Sequence, residues 1–184
     1  MNTIKFRITP GAFFVSAVML FCIPAGKLVN MLLAVTVHEM GHIIAIMLFG
    51  GKIKGVILGV GGLEIKSDTR YVSALGECII ALSGIFANLL CFTACAVFFK
   101  RHDFGIFCLL FAVLNSVPVC GFDVYRALEA MLPFKASWLR VISGISLFIL
   151  WIISVYIMLI YPSNPSLFLL CVSVYLGSFG KKQS

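Results

Sequence analysis

Six apolar runs separated by short polar breaks fill most of this 184-residue chain, and they leave room for little except a membrane fold. They lie at about 11–25, 28–50, 72–99, 104–132 (interrupted), 138–160 and 164–180. Lengths of this order suit an apolar layer about 30 Å thick, the first and last being short. A soluble alternative would need a polar shell, yet charged residues make up 11% of the chain and apolar ones 61%. The net charge of +7 does not point to nucleic acid, because the basic residues stand at the ends of the apolar runs. Eleven of the 14 fall on one side of the six-span scheme, and Lys27, Lys100 and Arg101 fall on the other. That bias places both termini in the cytoplasm. The first run follows a basic leader with Lys5 and Arg7. It reads as a retained helix, since more apolar runs follow it and no soluble domain does. The expectation is an all-α polytopic membrane protein of about six transmembrane helices, one domain over residues 1–184, in a cell membrane of bacterial type.

One stretch departs from helical patterning. Residues 51–70 hold five glycines and short β-rich runs on either side of Gly59-Val60-Gly61-Gly62, so a membrane-associated β-hairpin is expected between the second and third spans. Backbone groups near the membrane must be paired within protein or face a wet cavity. A free edge on such a hairpin can accept an extended peptide as an added strand.

The chemistry is concentrated in the second span, where residues 38–42 read His38-Glu39-Met40-Gly41-His42. Residues four apart on a helix share a face, so both imidazoles can reach one metal. Neutral imidazole suits Zn²⁺, and Glu39 is placed to act as acid and base on a zinc-activated water. Ionisable side chains inside a span are costly and mark function. The motif lies some ten residues from the cytoplasmic end of its helix, roughly 15 Å at 1.5 Å per residue. Gly41 lets a neighbouring helix approach closely.

A catalytic zinc needs a third protein ligand and an open position. The seven cysteines show no C-x-x-C pair and read as small buried hydrophobes, with Cys120 kept as a weak alternative ligand. His102 belongs to the turn on the far side. Of the seven acidic residues, Glu77, Asp123 and Glu129 remain as candidates. Asp123 is favoured, because Pro118 and Gly121 break the fourth span just before it, and a broken helix can turn a carboxylate inward.

H-E-x-x-H in one membrane helix, followed by the N-x-x-P-x-x-x-x-D pattern of Asn115, Pro118 and Asp123 in a later broken one, resembles the site-2 protease family of intramembrane zinc metalloproteases. Ser83-Gly84-Ile85-Phe86-Ala87-Asn88 is similar to that family's Gly-Pro-x-x-Asn element. Arg126 falls where its aspartate motif often carries arginine. The resemblance covers a core of about 28–132, flanked by helices at 11–25, 138–160 and 164–180. It is nearest to the six-span sporulation-type branch. It implies one zinc per chain held by His38, His42 and Asp123, with Glu39 as catalytic acid/base. It also implies that Asn88, Asn115 and Pro118 position substrate or the active-site loop, and that the hairpin holds substrate as an added strand. Ile85 stands where the middle element has proline, and Val124-Tyr125 where Gly-Gly usually follows the aspartate. The nucleotide-sensing CBS domain common in the sporulation branch is absent by Ser184, so regulation through one is not expected.

The function this implies is hydrolysis of a peptide bond in a transmembrane or membrane-associated protein near the cytoplasmic face. The alternative is an inactive scaffold that binds such clients without cutting them, and a transporter is disfavoured by the lack of repeated halves. Expected partners are the protein substrate and a regulatory membrane protein, and the Phe-rich outer helices read as lipid-facing.

Overall fold

The computed structural model of the protein describes residues 5–59, 62–99, 102–132 and 136–160, with the isolated position 172. The second apolar run forms helix α2 (Ala25–Leu48), following a short α1 (Pro10–Cys22). Pro24 precedes the first turn of α2, and a proline there costs no helical hydrogen bond to the chain that follows. The third run forms α3 (Ala74–Ala94), capped at its start by Ser73, whose Oγ accepts from the Gly76 amide at 3.1 Å. It ends in a π-helical turn over Cys95–Phe99. The fourth run divides into α4 (His102–Asn115) and α5 (Asp123–Met131), and α6 (Ala136–Ile160) follows.

Three helices, over Ala25–Leu48, Ala74–Phe98 and Ser137–Ile160, are long and apolar enough to cross a membrane. The six-span expectation is therefore met only in part. At 13 residues α1 reaches about 20 Å, short of the apolar layer. The run at 104–132 is split by its break, and the one at 164–180 lies outside the described residues. Large apolar side chains on α6, Trp138, Phe148 and Leu159 among them, are about two-thirds or more exposed, a surface suited to lipid and not to water.

The hairpin at 51–70 is present but belongs to a larger sheet. Strands β2 (Lys52–Gly59) and β3 (Gly62–Asp68) pair antiparallel, with Gly59 opposite Gly62 and a bulge at Lys54. Residues read as a basic leader, Lys5–Ile8, form β1, which pairs parallel to β2 with Lys5 opposite Gly55 and Ile8 opposite Leu58. The strand fits because Gly55 has no side chain: a Cβ there would stand 2.5 Å from the Lys5 carbonyl oxygen. β2 is thus central. The outer edge of β3 pairs with no other strand among the described residues. At the end of β3, Asp68 accepts Nε of Arg70 at 2.9 Å and Nζ of Lys54 at 2.8 Å. The two cations hold its carboxyl well below the usual range, Arg70 contributing most.

The buried stripe of α2 is Ala34, His38, His42, Ala45 and Ile46, which packs on α3, while Met40, Ile44 and Met47 face outward. Where α2 leaves the span, Ala45 and Ile46 join Ile80 of α3 in a small core onto which Ile53, Ile65 and Val72 close. This core ties the sheet to the two helices that carry the polar site.

Gly41 sets the distance between α2 and α3. A Cβ at this position would lie 2.6 Å from the Ser83 carbonyl oxygen and 2.8 Å from the Ala87 Cβ. Alanine ordinarily favours a helix over glycine by about 1 kcal/mol, but overpacking against a rigid backbone costs about 1–3 kcal/mol. Gly41→Ala is therefore expected to lower the thermal midpoint in detergent. Gly144→Ala, on α6 with nothing within 4 Å of its Cβ, is the control and is expected not to lower it. An unchanged midpoint in Gly41→Ala would refute the close contact.

Candidate metal centre

The break between α4 and α5 arises from local chemistry. Asn115 and Ser116 turn back onto α4, Asn115 Nδ2 donating to the Phe111 carbonyl at 3.1 Å and Ser116 Oγ to that of Ala112 at 2.7 Å. Pro118 has no amide to continue the ladder. Gly121 takes φ +102°, a conformation that favours glycine. Cys120 donates its amide to the Ser143 Oγ of α6 at 2.7 Å, which pins the break from outside. The chain re-enters as α5 with Asp123 in its first turn, where the amides of a helix start favour a carboxylate.

Asp123 thereby meets the two histidines of α2. Its Oδ2 lies 3.0 Å from His38 Nε2 and its Oδ1 3.3 Å from His42 Nε2. The two Nε2 atoms are 3.2 Å apart. All three residues are buried, and their ligand atoms fall within 4.8 Å of one another, the one such group of three among the described residues.

The second nitrogen of each ring is also engaged. His42 Nδ1 lies 2.8 Å from the Ile80 carbonyl, which can only accept, so Nδ1 carries the proton and, in the neutral ring, Nε2 presents a lone pair. Ser83 Oγ donates to the same carbonyl at 2.6 Å. His38 Nδ1 lies 3.3 Å from Asn88 Nδ2. Asp123 Oδ2 is buried and, despite its closeness to His38, accepts no well-directed hydrogen bond. An imidazole lone pair and a carboxylate this close, with an orphaned oxygen, are the donors a cation requires. Two neutral imidazoles and one carboxylate fit Zn²⁺.

Gly84 makes the space for these rings. A Cβ there would be 2.5 Å from His42 Nε2 and 2.7 Å from His38 Cε1. Sequence reading marked this glycine only as part of a segment, and it missed the Ile80 carbonyl and the Ser83 hydroxyl. A main-chain acceptor leaves no trace in residue type. The smallness of Gly84, in a segment already singled out, was the available signal.

A cavity of about 440 Å³ opens onto the three residues and is also lined by Glu39, Asn115 and Arg126. Leu63, Ile65 and Ser67 share one face of β3 and, with Thr69, form its wall. Asn88, fully buried, and Pro118 are not part of the lining. Glu77 and Glu129 line the cavity without joining the three-residue group, and Glu77 accepts from Thr69 Oγ1 at 2.8 Å. Cys120 is exposed and outside both.

No family model matches the chain, and no curated protein does. Among solved structures, a site-2 protease from Methanocaldococcus jannaschii superposes with a TM-score of 0.68 at 18% sequence identity. The match covers 100% of this chain and 94% of that one. The chain shares the fold of that protease. At this identity the likeness concerns the fold alone; the apolar helices and the group of His38, His42 and Asp123 are features of this chain itself. It does not select the sporulation-type branch.

Proposed function

We propose that the protein is a zinc-dependent intramembrane endopeptidase acting on a transmembrane or membrane-associated protein near the cytoplasmic face. The observation that carries this is the meeting of His38, His42 and Asp123 beside Glu39 in a cavity walled by β3. His38 Nε2, His42 Nε2 and a carboxylate oxygen of Asp123 would hold the ion. Zinc held there supplies Lewis acidity toward water and toward a peptide carbonyl. Glu39 takes the proton of the attacking water and returns it to the departing amine. The outer edge of β3, which pairs with no other strand among the described residues, aligns an extended segment of substrate by main-chain hydrogen bonds, which requires the substrate helix to unwind at the scissile bond. Asn115 and Arg126 face the cavity where such a segment would lie, and Pro118 acts at one remove by breaking α4. On the six-span scheme, the bias of basic residues supports a cytoplasmic placement of both termini. A sporulation role rests on the six-span layout alone and adds nothing to this reading.

Metal analysis of the detergent-purified protein tests the proposal. About one zinc per chain is expected in the wild type, with none retained in His42→Ala or Asp123→Ala. A folded wild type that binds no zinc would replace this reading with that of a client-binding scaffold. Zinc retained without Asp123 would return Glu77, Glu129 or Cys120 as the third ligand.

A further inference from the structure

Asn88 contributes a side chain to the centre that the cavity cannot explain. It is fully buried on α3, four residues after Gly84, and takes no part in the cavity lining. Its one hydrogen-bonding neighbour in the site is Nδ1 of His38 at 3.3 Å, and its Oδ1 is buried without a partner. A residue so placed does not reach a peptide in the cavity. It does reach the ring nitrogen that faces away from the candidate metal.

We propose that Asn88 is the positioning residue of His38, an amide that fixes the ring and its tautomer and does not contact substrate. The inference rests on the zinc reading above and assigns this chain's own residue within it. For His38 Nε2 to present a lone pair, the proton must sit on Nδ1, and that N–H needs an acceptor in a buried site. The two ends of a primary amide have the same shape, and the rotamer turned by 180° presents Oδ1 to Nδ1. That rotamer gives the partnerless oxygen a donor and holds His38 in the ligating tautomer. His42 is served in the same way by the Ile80 carbonyl. The two histidines of one helix thus have separate orienting groups, both on α3: Ile80 precedes Gly84 by four residues, about one turn, and Asn88 follows it by four.

The test is chelator competition for zinc, with ¹⁵N-histidine NMR of the full chain in detergent. The sequence has three histidines, so each ring can be followed. Asn88→Leu keeps the bulk and removes the acceptor, and it is expected to weaken zinc binding by about 10–100-fold. The His38 Nδ1 proton should then exchange faster while that of His42 is unchanged. Asn88→Asp restores an acceptor and is expected to bind zinc within a few-fold of wild type or more tightly, a rescue that a purely structural role would not give. A folded Asn88→Leu with wild-type zinc affinity and an unchanged His38 signal would overturn the proposal while leaving the zinc site standing. If Asn88→Leu does not fold, Asn88→Asp decides: metal bound with a protected His38 Nδ1 proton supports the proposal, and a folded, metal-free Asn88→Asp overturns it. A wild type that binds no zinc would remove the zinc reading and this inference with it.

Discussion

Glu39→Gln is expected to abolish peptide-bond cleavage while leaving metal content at the wild-type level. The substitution keeps length and shape but exchanges a group that can take up a proton for one that cannot. Loss of a positioned acid/base group typically lowers rates by about 10²–10⁴-fold, which would put turnover of a membrane-anchored test polypeptide near background. The histidines on either side, in contact with Asp123, are untouched by the change. Loss of activity without loss of metal therefore separates proton transfer from metal binding. Glu77→Gln is the matched control. Its carboxylate lines the same cavity and accepts a hydrogen bond from Thr69, but it lies outside the three-residue group. Cleavage there should stay within a few-fold of wild type. A Glu39→Gln protein that still cuts at an appreciable fraction of the wild-type rate would end the proposed role of Glu39. Equal losses in both variants would mean that acidity of the cavity as a whole, and no single proton carrier, governs the reaction.

The polar centre was more legible in the sequence than the architecture that frames it. Two histidines four apart share a helix face by geometry alone, and α2 does present His38 and His42 on its buried stripe. Pro118 and Gly121 announce a break through backbone chemistry local to them, and the break occurs between Asn115 and Asp123. What stayed hidden depends on contacts between segments distant in sequence. Lys5–Ile8 is too short to declare itself a strand, and it becomes one because β2 offers an edge at Gly55. The span count is met only in part for a different reason: hydropathy registers apolar runs, not whether 13 residues of α1 are enough to cross.

The same distinction separates two glycines that the sequence presents alike. Gly41 and Gly84 face each other across the α2–α3 contact, and a Cβ on either would meet atoms well inside van der Waals distance. At Gly41 the obstacle is the backbone at Ser83, so the helices themselves must move and stability falls. At Gly84 the nearest atoms are the ring tips of His42 and His38, at 2.5 Å and 2.7 Å. Side chains yield more readily than helices, so the expected casualty of Gly84→Ala is the metal centre and not the fold. Each ring is held from behind, His42 by the Ile80 carbonyl and His38 beside Asn88, so displacement breaks those contacts and swings Nε2 away from Asp123. Misplacement of reacting groups by about 1 Å is enough for effects near 100-fold. Gly84→Ala is therefore expected to lose zinc affinity by about 100-fold or more, with a thermal midpoint in the metal-free state close to wild type. Chelator competition and thermal unfolding of the two glycine variants, run side by side, check this. Stoichiometric zinc at wild-type affinity in Gly84→Ala would show that the rings do not occupy the space this glycine leaves. A collapse of the metal-free fold would show instead that α2 and α3, and not the imidazoles, absorb the added methyl group.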